Sequence, residues 1–262
     1  MRKICLAAMF LLLLWPVLAI GQSPFDGTWK IDVNDVQFPT KPDVFLLQNG
    51  MYECKTCVPK ISVKADGTDQ KVTDDPYSDS ISVKLVDDHN IEMTRKKDGK
   101  VVGTSKNSIS ADGKALTIDW TDSGNPSGGM QTGTFTQKRV AQGPAAAHLI
   151  SGSWVTEKGD ASPDALKWSY QLNGDELSFS TPLGQSYTAK LDGTEAPFKG
   201  DPGTTSVSVK KLGKDTLEET FKRDGKVTGL RKLTISGDGK TAKLVYEDKL
   251  AGTTVKAEAV KQ

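Results

Sequence analysis

Residues 80–114 occur twice. SISVKLVDDHNIEMTRKKDGKVVGTSKNSISADGK, from Ser80 to Lys114, returns as SVSVKKLGKDTLEETFKRDGKVTGLRKLTISGDGK from Ser206 to Lys240. Asp98-Gly99-Lys100-Val101 is answered by Asp224-Gly225-Lys226-Val227 at a displacement of 126 residues. The same displacement carries Asp66-Gly67-Thr68 onto Asp192-Gly193-Thr194 and Asp112-Gly113-Lys114 onto Asp238-Gly239-Lys240. A solenoid unit is roughly 20–50 residues long, so a period of this size reads as two whole domains in tandem.

Both copies are punctuated for antiparallel sheet. Short runs rich in Val, Ile and Thr alternate with Asn49-Gly50, Asp66-Gly67, Asp98-Gly99 and Asp112-Gly113 in the first copy. The second has Asn173-Gly174, Asp192-Gly193, Asp224-Gly225 and Asp238-Gly239. These dipeptides accept positive φ in hairpin turns. Apolar residues nowhere hold a helical period for more than about a turn. The pattern predicts an all-β chain, and an up-and-down antiparallel barrel is the meander that leaves no open sheet edge.

The expected organisation is a signal peptide over residues 1–21, one barrel over 22–140, a linker over 141–149 and a second barrel over 150–262. Arg2 and Lys3 precede the apolar run Leu6 to Ile20, and Ala19-Ile20-Gly21 places small residues before an expected cleavage ahead of Gln22. The alternative is an uncleaved anchor, for which the run is short against the roughly 20 residues of a span. The linker Val140 to Leu149 is poor in strand formers. The reading is of an exported protein, periplasmic or secreted, with no span in the mature chain. The formal net charge of +1 leaves no field to recruit nucleic acid.

A three-residue loop Lys97-Asp98-Gly99 would pair Lys96 with Lys100, Arg95 with Val101, Met93 with Gly103 and Ile91 with Ser105. It would place Ile91, Met93, Val101 and Ile109 inside, with Glu92, Thr94, Lys96 and Lys106 outside. In the second copy the same register puts Leu217, Glu219, Phe221, Val227, Gly229, Arg231, Leu233 and Ile235 inside. Gly103 and Gly229, within strand patterns, mark a bend or close approach.

Each copy opens with Gly-x-Trp: Gly27-Thr28-Trp29 and Gly152-Ser153-Trp154. With the hairpin meander that follows, this resembles the calycin group, the lipocalins and fatty-acid-binding proteins. The resemblance implies a Trp closing one end of each barrel under a basic residue of the final strand, a part open to Arg139 and Lys261. The chain departs from the group in that Asn34 to Pro42 and Glu157 to Pro163 are too short and Pro-interrupted for a helix pair.

Arg95, inward on this register beside Met93, is the candidate anchor for an acidic head group; otherwise its side chain reaches solvent at the rim. Trp120 and Trp168 are candidate ligand-lining residues, although small barrels also need such volume merely as filling. Glu219 and Arg231 are near enough to pair with each other. Cys54 and Cys57, the only cysteines left once Cys5 departs with the signal, are expected to form a local disulfide; Val58-Pro59 denies them the helix start of a redox motif. His89 and His148 both fall in loops, and neither a metal site nor a catalytic triad can be assembled from two histidines so placed.

No cofactor and no enzymatic activity are expected. The leading function is noncatalytic binding of a small apolar or acidic ligand inside a barrel. The alternative is a structural or protein-interaction module of the cell envelope, with filled barrels and no ligand.

Overall fold

The computed structural model describes residues 23–124 and 129–262, and the expected signal peptide lies outside them. The first copy forms β1 (Gly27–Ile31), β2 (Asp43–Gln48), β3 (Met51–Cys54), β4 (Ile61–Lys64), β5 (Gln70–Lys71), β6 (Ser80–Asp87), β7 (Asn90–Lys97), β8 (Lys100–Ile109), β9 (Ala115–Asp122) and β10 (Gln131–Gln142). The second forms β11 (Gly152–Ala161), β12 (Lys167–Asn173), β13 (Glu176–Ser180), β14 (Ser186–Lys190), β15 (Asp192–Pro197), β16 (Ser206–Lys211), β17 (Thr216–Arg223), β18 (Lys226–Ile235), β19 (Thr241–Asp248) and β20 (Thr253–Lys261). The only helices among the described residues are two single turns, Val33–Asp35 and Pro163–Leu166, and no helix there is long and apolar enough to cross a membrane.

The strands make two antiparallel, nearly closed ten-stranded barrels. Strand pairing departs from the expectation that residues 22–140 and 150–262 each close a barrel of their own. In barrel 1 the order is β4-β3-β2-β11-β10-β9-β8-β7-β6-β5; in barrel 2 it is β14-β13-β12-β1-β20-β19-β18-β17-β16-β15. The first strand of each copy thus sits in the other copy's barrel. The short connection supplies a reason. Ala141 and Gln142 of the expected linker belong to β10, and the turn that follows holds Ala147 N–H on Pro144 O and His148 N–H on Leu47 O. So short a turn returns the chain alongside β10, and β11 is captured there as a hairpin. The matching place beside β20 is taken by β1.

The Gly-x-Trp motifs follow the exchange. Trp29 packs in the core of barrel 2 and Trp154 in that of barrel 1, both fully buried. Each indole N–H donates to a carbonyl four residues earlier, Trp29 to Phe25 at 2.9 Å and Trp154 to Ile150 at 2.8 Å. Arg139 lies 4.0 Å over the Trp154 ring, and Lys261 lies 5.0 Å over Trp29. The basic cap of each copy therefore covers the tryptophan of the other. Gly152 has φ +135°, and a Cβ there would meet Ala141 O at 2.4 Å, so no other residue fits.

The two barrel seams are closed without full ladders. Between β4 and β5 the Gln70 side chain stands in for a strand, accepting from Lys64 N–H and donating to Lys64 O, both at 2.8 Å. In barrel 2, Ser186 and Lys199 exchange backbone hydrogen bonds across the seam. Edge groups are thereby spent, as a barrel requires.

The central hairpin differs from the expected loop. Asp98 and Gly99 both have positive φ, 50° and 75°, the signature of a two-residue turn. Lys96 pairs with Val101, a register shift follows, and Arg95 pairs with Gly103, Met93 with Ser105 and Ile91 with Asn107. The extra residue, Val102, is a β-bulge; it restores the face that a two-residue turn alone would flip. Ile91, Met93, Arg95 and Ile109 accordingly keep the expected inward face, but Val101, before the bulge, is 51% exposed. Val227 is exposed for the same reason, with Thr228 as the extra residue in the second copy. Cys54 and Cys57 form a disulfide in the loop after β3.

Candidate functional site

Equivalent positions in the two barrels carry opposite chemistry. In barrel 2, Glu219 on β17 faces Arg231 directly across the ladder rather than diagonally. The guanidinium donates to both carboxylate oxygens, with Nη2 2.8 Å from Oε1, and Nη2 also donates to the Tyr170 hydroxyl at 2.9 Å. Tyr170 and Tyr187 each donate to Glu219 Oε1. The Arg231 guanidinium lies 5.0 Å over Phe179 and 5.2 Å over Phe221. Burial works to lower the Arg231 pKa, but Glu219 more than offsets it and holds the pKa well above the usual arginine range. The Glu219 carboxylate is fully buried, and each of its oxygens accepts a hydrogen bond. Trp168, expected as a ligand contact, is 4% exposed and packs in this same core.

Barrel 1 has Met93 and Ser105 at the places of Glu219 and Arg231, and Trp120 at the place of Tyr246. Among the described residues no ion pair fills the middle. The β9 wall is buried at Leu116 but only half-buried at Ile118, Trp120 and Asp122, so the exposure of its inward side chains rises away from the Trp154 end. Trp120 stacks on Phe135 with centroids 6.1 Å apart, and Phe38 meets Phe135 edge-on from the β1–β2 connection.

Two deeply buried amides line this interior with unfinished hydrogen bonding. Gln137, 4% exposed, donates to Asp43 Oδ2 at 2.7 Å and Thr156 Oγ1 at 3.0 Å, leaving Oε1 without a protein partner. The carboxylate it serves fixes the orientation of its amide. Asn107, 3% exposed, directs Nδ2 at the Met93 sulfur, and its Oδ1 has no protein partner. Burial pushes the Asp43 carboxyl up, partly countered by the Gln137 N–H.

At the mouth, Arg95 is not a free anchor. Its Nη2 lies 2.8 Å from Asp122 Oδ2 on β9, with both side chains about two-fifths exposed. The guanidinium packs flat where Gly103 lacks a Cβ, an added Cβ falling 2.7 Å from Nη2. Arg95, expected as receptor for an acidic head group, has this partner two strands away and 27 residues on. Beyond Asp122 the mouth meets barrel 2. A cleft of about 250 Å³ is lined by Tyr77, Trp120, Asp122 and Gln131 on one side and by Gln185 and Asp201 among others on the opposite side. The Tyr77 hydroxyl donates to Asp201 Oδ1 at 2.8 Å across it.

Both histidines contact backbone: His89 Nδ1 lies 3.0 Å from Ile109 O, and His148 Nε2 lies 2.7 Å from Asp87 O. Among the described residues no three His, Cys, Asp or Glu side chains converge as a metal would need.

All five tyrosine hydroxyls of the chain are held above the usual phenol range, in every case chiefly by burial. A raised folded-state pKa gives stability that is complete below the unfolded value of about 10 and lost as pH rises toward the folded values. Phenolate absorbance is therefore expected to stay low at about pH 10 and then climb together with loss of near-ultraviolet dichroism. A smooth five-phenol titration at about pH 10 in the folded protein would contradict the packing described.

No known protein-family model matches this chain, and no curated protein is significantly similar to it in sequence.

Proposed function

We propose that the protein is a noncatalytic, exported binder of a small, partly apolar molecule, held inside barrel 1, and that barrel 2 is its packed structural companion. The supporting observation is the contrast at matched positions. Barrel 2 fills its middle with a Glu219–Arg231 pair that satisfies itself and leaves the Trp168 Nε1 unpartnered, while barrel 1 places Met93 and Ser105 there and leaves the Asn107 and Gln137 oxygens and the Trp120 Nε1 unpartnered. A buried acceptor with no donor costs about 1–3 kcal/mol, so two such groups are economical only where water or a ligand completes them. The periplasm or the extracellular space is the proposed location, from the leader-like residues 1–21.

Native mass spectrometry of the mature protein from its own compartment tests this reading. A small adduct is expected that leaves on denaturation and is missing from an Asn107→Leu variant, which installs the residue barrel 2 has at Leu233. Bare protein in both, with no response from an apolar fluorescent probe, would turn attention to the envelope-protein partner of the rival reading. That reading has its own surface, an open groove of about 820 Å³ across β7 to β11, lined by Thr94, Thr104, Thr121 and Thr134 among others.

A further inference from the structure

We propose that the cleft between the mouth of barrel 1 and the loops of barrel 2 selects an organic cation, a protonated amine or quaternary ammonium on a compact apolar body. The inference rests on the reading that barrel 1 takes a ligand, and it reverses the charge expected from Arg95. Among the described residues the only charged ones lining the cleft are Asp122 and Asp201, one from each barrel. The Arg95 guanidinium beside Asp122 is held by that carboxylate and by its seat on Gly103. Among the described residues Asp201 accepts at Oδ1 from the Tyr77 hydroxyl and from Gly203 N–H. Two carboxylates against one guanidinium leave the entrance net negative.

The rest of the lining suits the same guest. Tyr77 and Trp120 contribute aromatic rings, whose faces attract cations, and Gln131 and Gln185 contribute amides. Behind Trp120 the unpartnered groups on the buried amides are acceptors, Asn107 Oδ1 and Gln137 Oε1, and Asp43 adds a carboxylate without a salt-bridge partner among the described residues. A ligand that donates hydrogen bonds meets carboxylates at the entrance and the two amide oxygens inside, beside one indole donor, Trp120 Nε1. An anionic head group meets carboxylates at the entrance and carbonyl oxygens inside. The cleft volume of about 250 Å³ is below the roughly 300–1,000 Å³ of sites for drug-sized molecules, which fits a small head group.

Three probes with one body and different heads separate the possibilities: phenethylamine, phenethyl alcohol and hydrocinnamate, titrated into the full mature chain by calorimetry. The amine is expected to bind on the order of tenfold more tightly than either of the others. Asp122→Asn, a change at a half-exposed rim, releases Arg95 and should move the preference to hydrocinnamate. Asp201→Asn should weaken the amine alone. Equal binding of all three probes overturns the cation selectivity and leaves the barrel 1 reading standing. An amine preference unchanged in Asp122→Asn overturns the placement of the site. If none of the probes binds while the native adduct persists, the cation falls; if the adduct is missing as well, both readings fall.

Discussion

Replacing Glu219 with leucine is expected to cost about 3–5 kcal/mol of stability, because it strands a guanidinium inside barrel 2. Arg231 has only a 15% exposed side chain, and its other contacts, the Tyr170 hydroxyl and the faces of Phe179 and Phe221, do not supply an anion. Removing both charges in Glu219→Leu/Arg231→Met should recover most of the loss, since replacing a buried pair with apolar groups is often close to neutral. Tyr170 and Tyr187 would still lose their acceptor, so recovery should be incomplete by about 1 kcal/mol for each stranded hydroxyl. Urea midpoints for the wild type, both single variants and the double variant give the coupling directly. A single-variant loss below about 1 kcal/mol would mean that Arg231 reaches water when its partner is gone.

Cutting the chain between the barrels is expected to leave them joined. Pro144, Ala145 and Ala146 are exposed in the turn between β10 and β11, and a protease site inserted there should be cleaved without disturbing either core. The fragments ending and beginning at the cut each lend a strand to the other's barrel, and each lent strand carries a fully buried tryptophan. Truncating a buried Trp typically costs about 3–5 kcal/mol, so withdrawing two such strands should exceed the roughly 8 kcal/mol of a micromolar complex. The nicked protein should elute as one species in native buffer and as two fragments only in denaturant. Separation in native buffer would sink the exchanged topology.

Much of the architecture was legible in the residues. Asn-Gly and Asp-Gly pairs located the turns, and alternation placed Ile91, Met93, Leu217 and Glu219 inward because side-chain parity survives a register error of two. The bulges at Val102 and Thr228 were not legible, since nothing in the strings VVG or VTG distinguishes an extra residue from a longer turn. Nor was the exchange. Phe25 to Trp29 and Ile150 to Trp154 follow the same Gly-x-Trp pattern, so either strand suits either barrel; what decides is the short return from β10 to β11. Alternation likewise reports that Arg95 points inward, but not that Asp122 is waiting for it. Asn107 falls inside under either register, yet its missing partner becomes visible only when every neighbour is in place.

The pairing of Trp29 with Lys261 sets an order of events for a chain synthesised from its N-terminus. β1 emerges first and is fully seated last, because its neighbour β12 follows only after β11 and its other neighbour, β20, is the final strand. Barrel 1 is complete once β11 arrives, but until then its wall is open beside β10. Bringing the first strand to the last closes a loop of nearly the whole chain, which makes this contact slow relative to the local hairpins. Throughout that interval Trp29 is an exposed aromatic on an unpaired strand, the kind of surface that holdase chaperones grip. Completion of barrel 2 is the step that hides it.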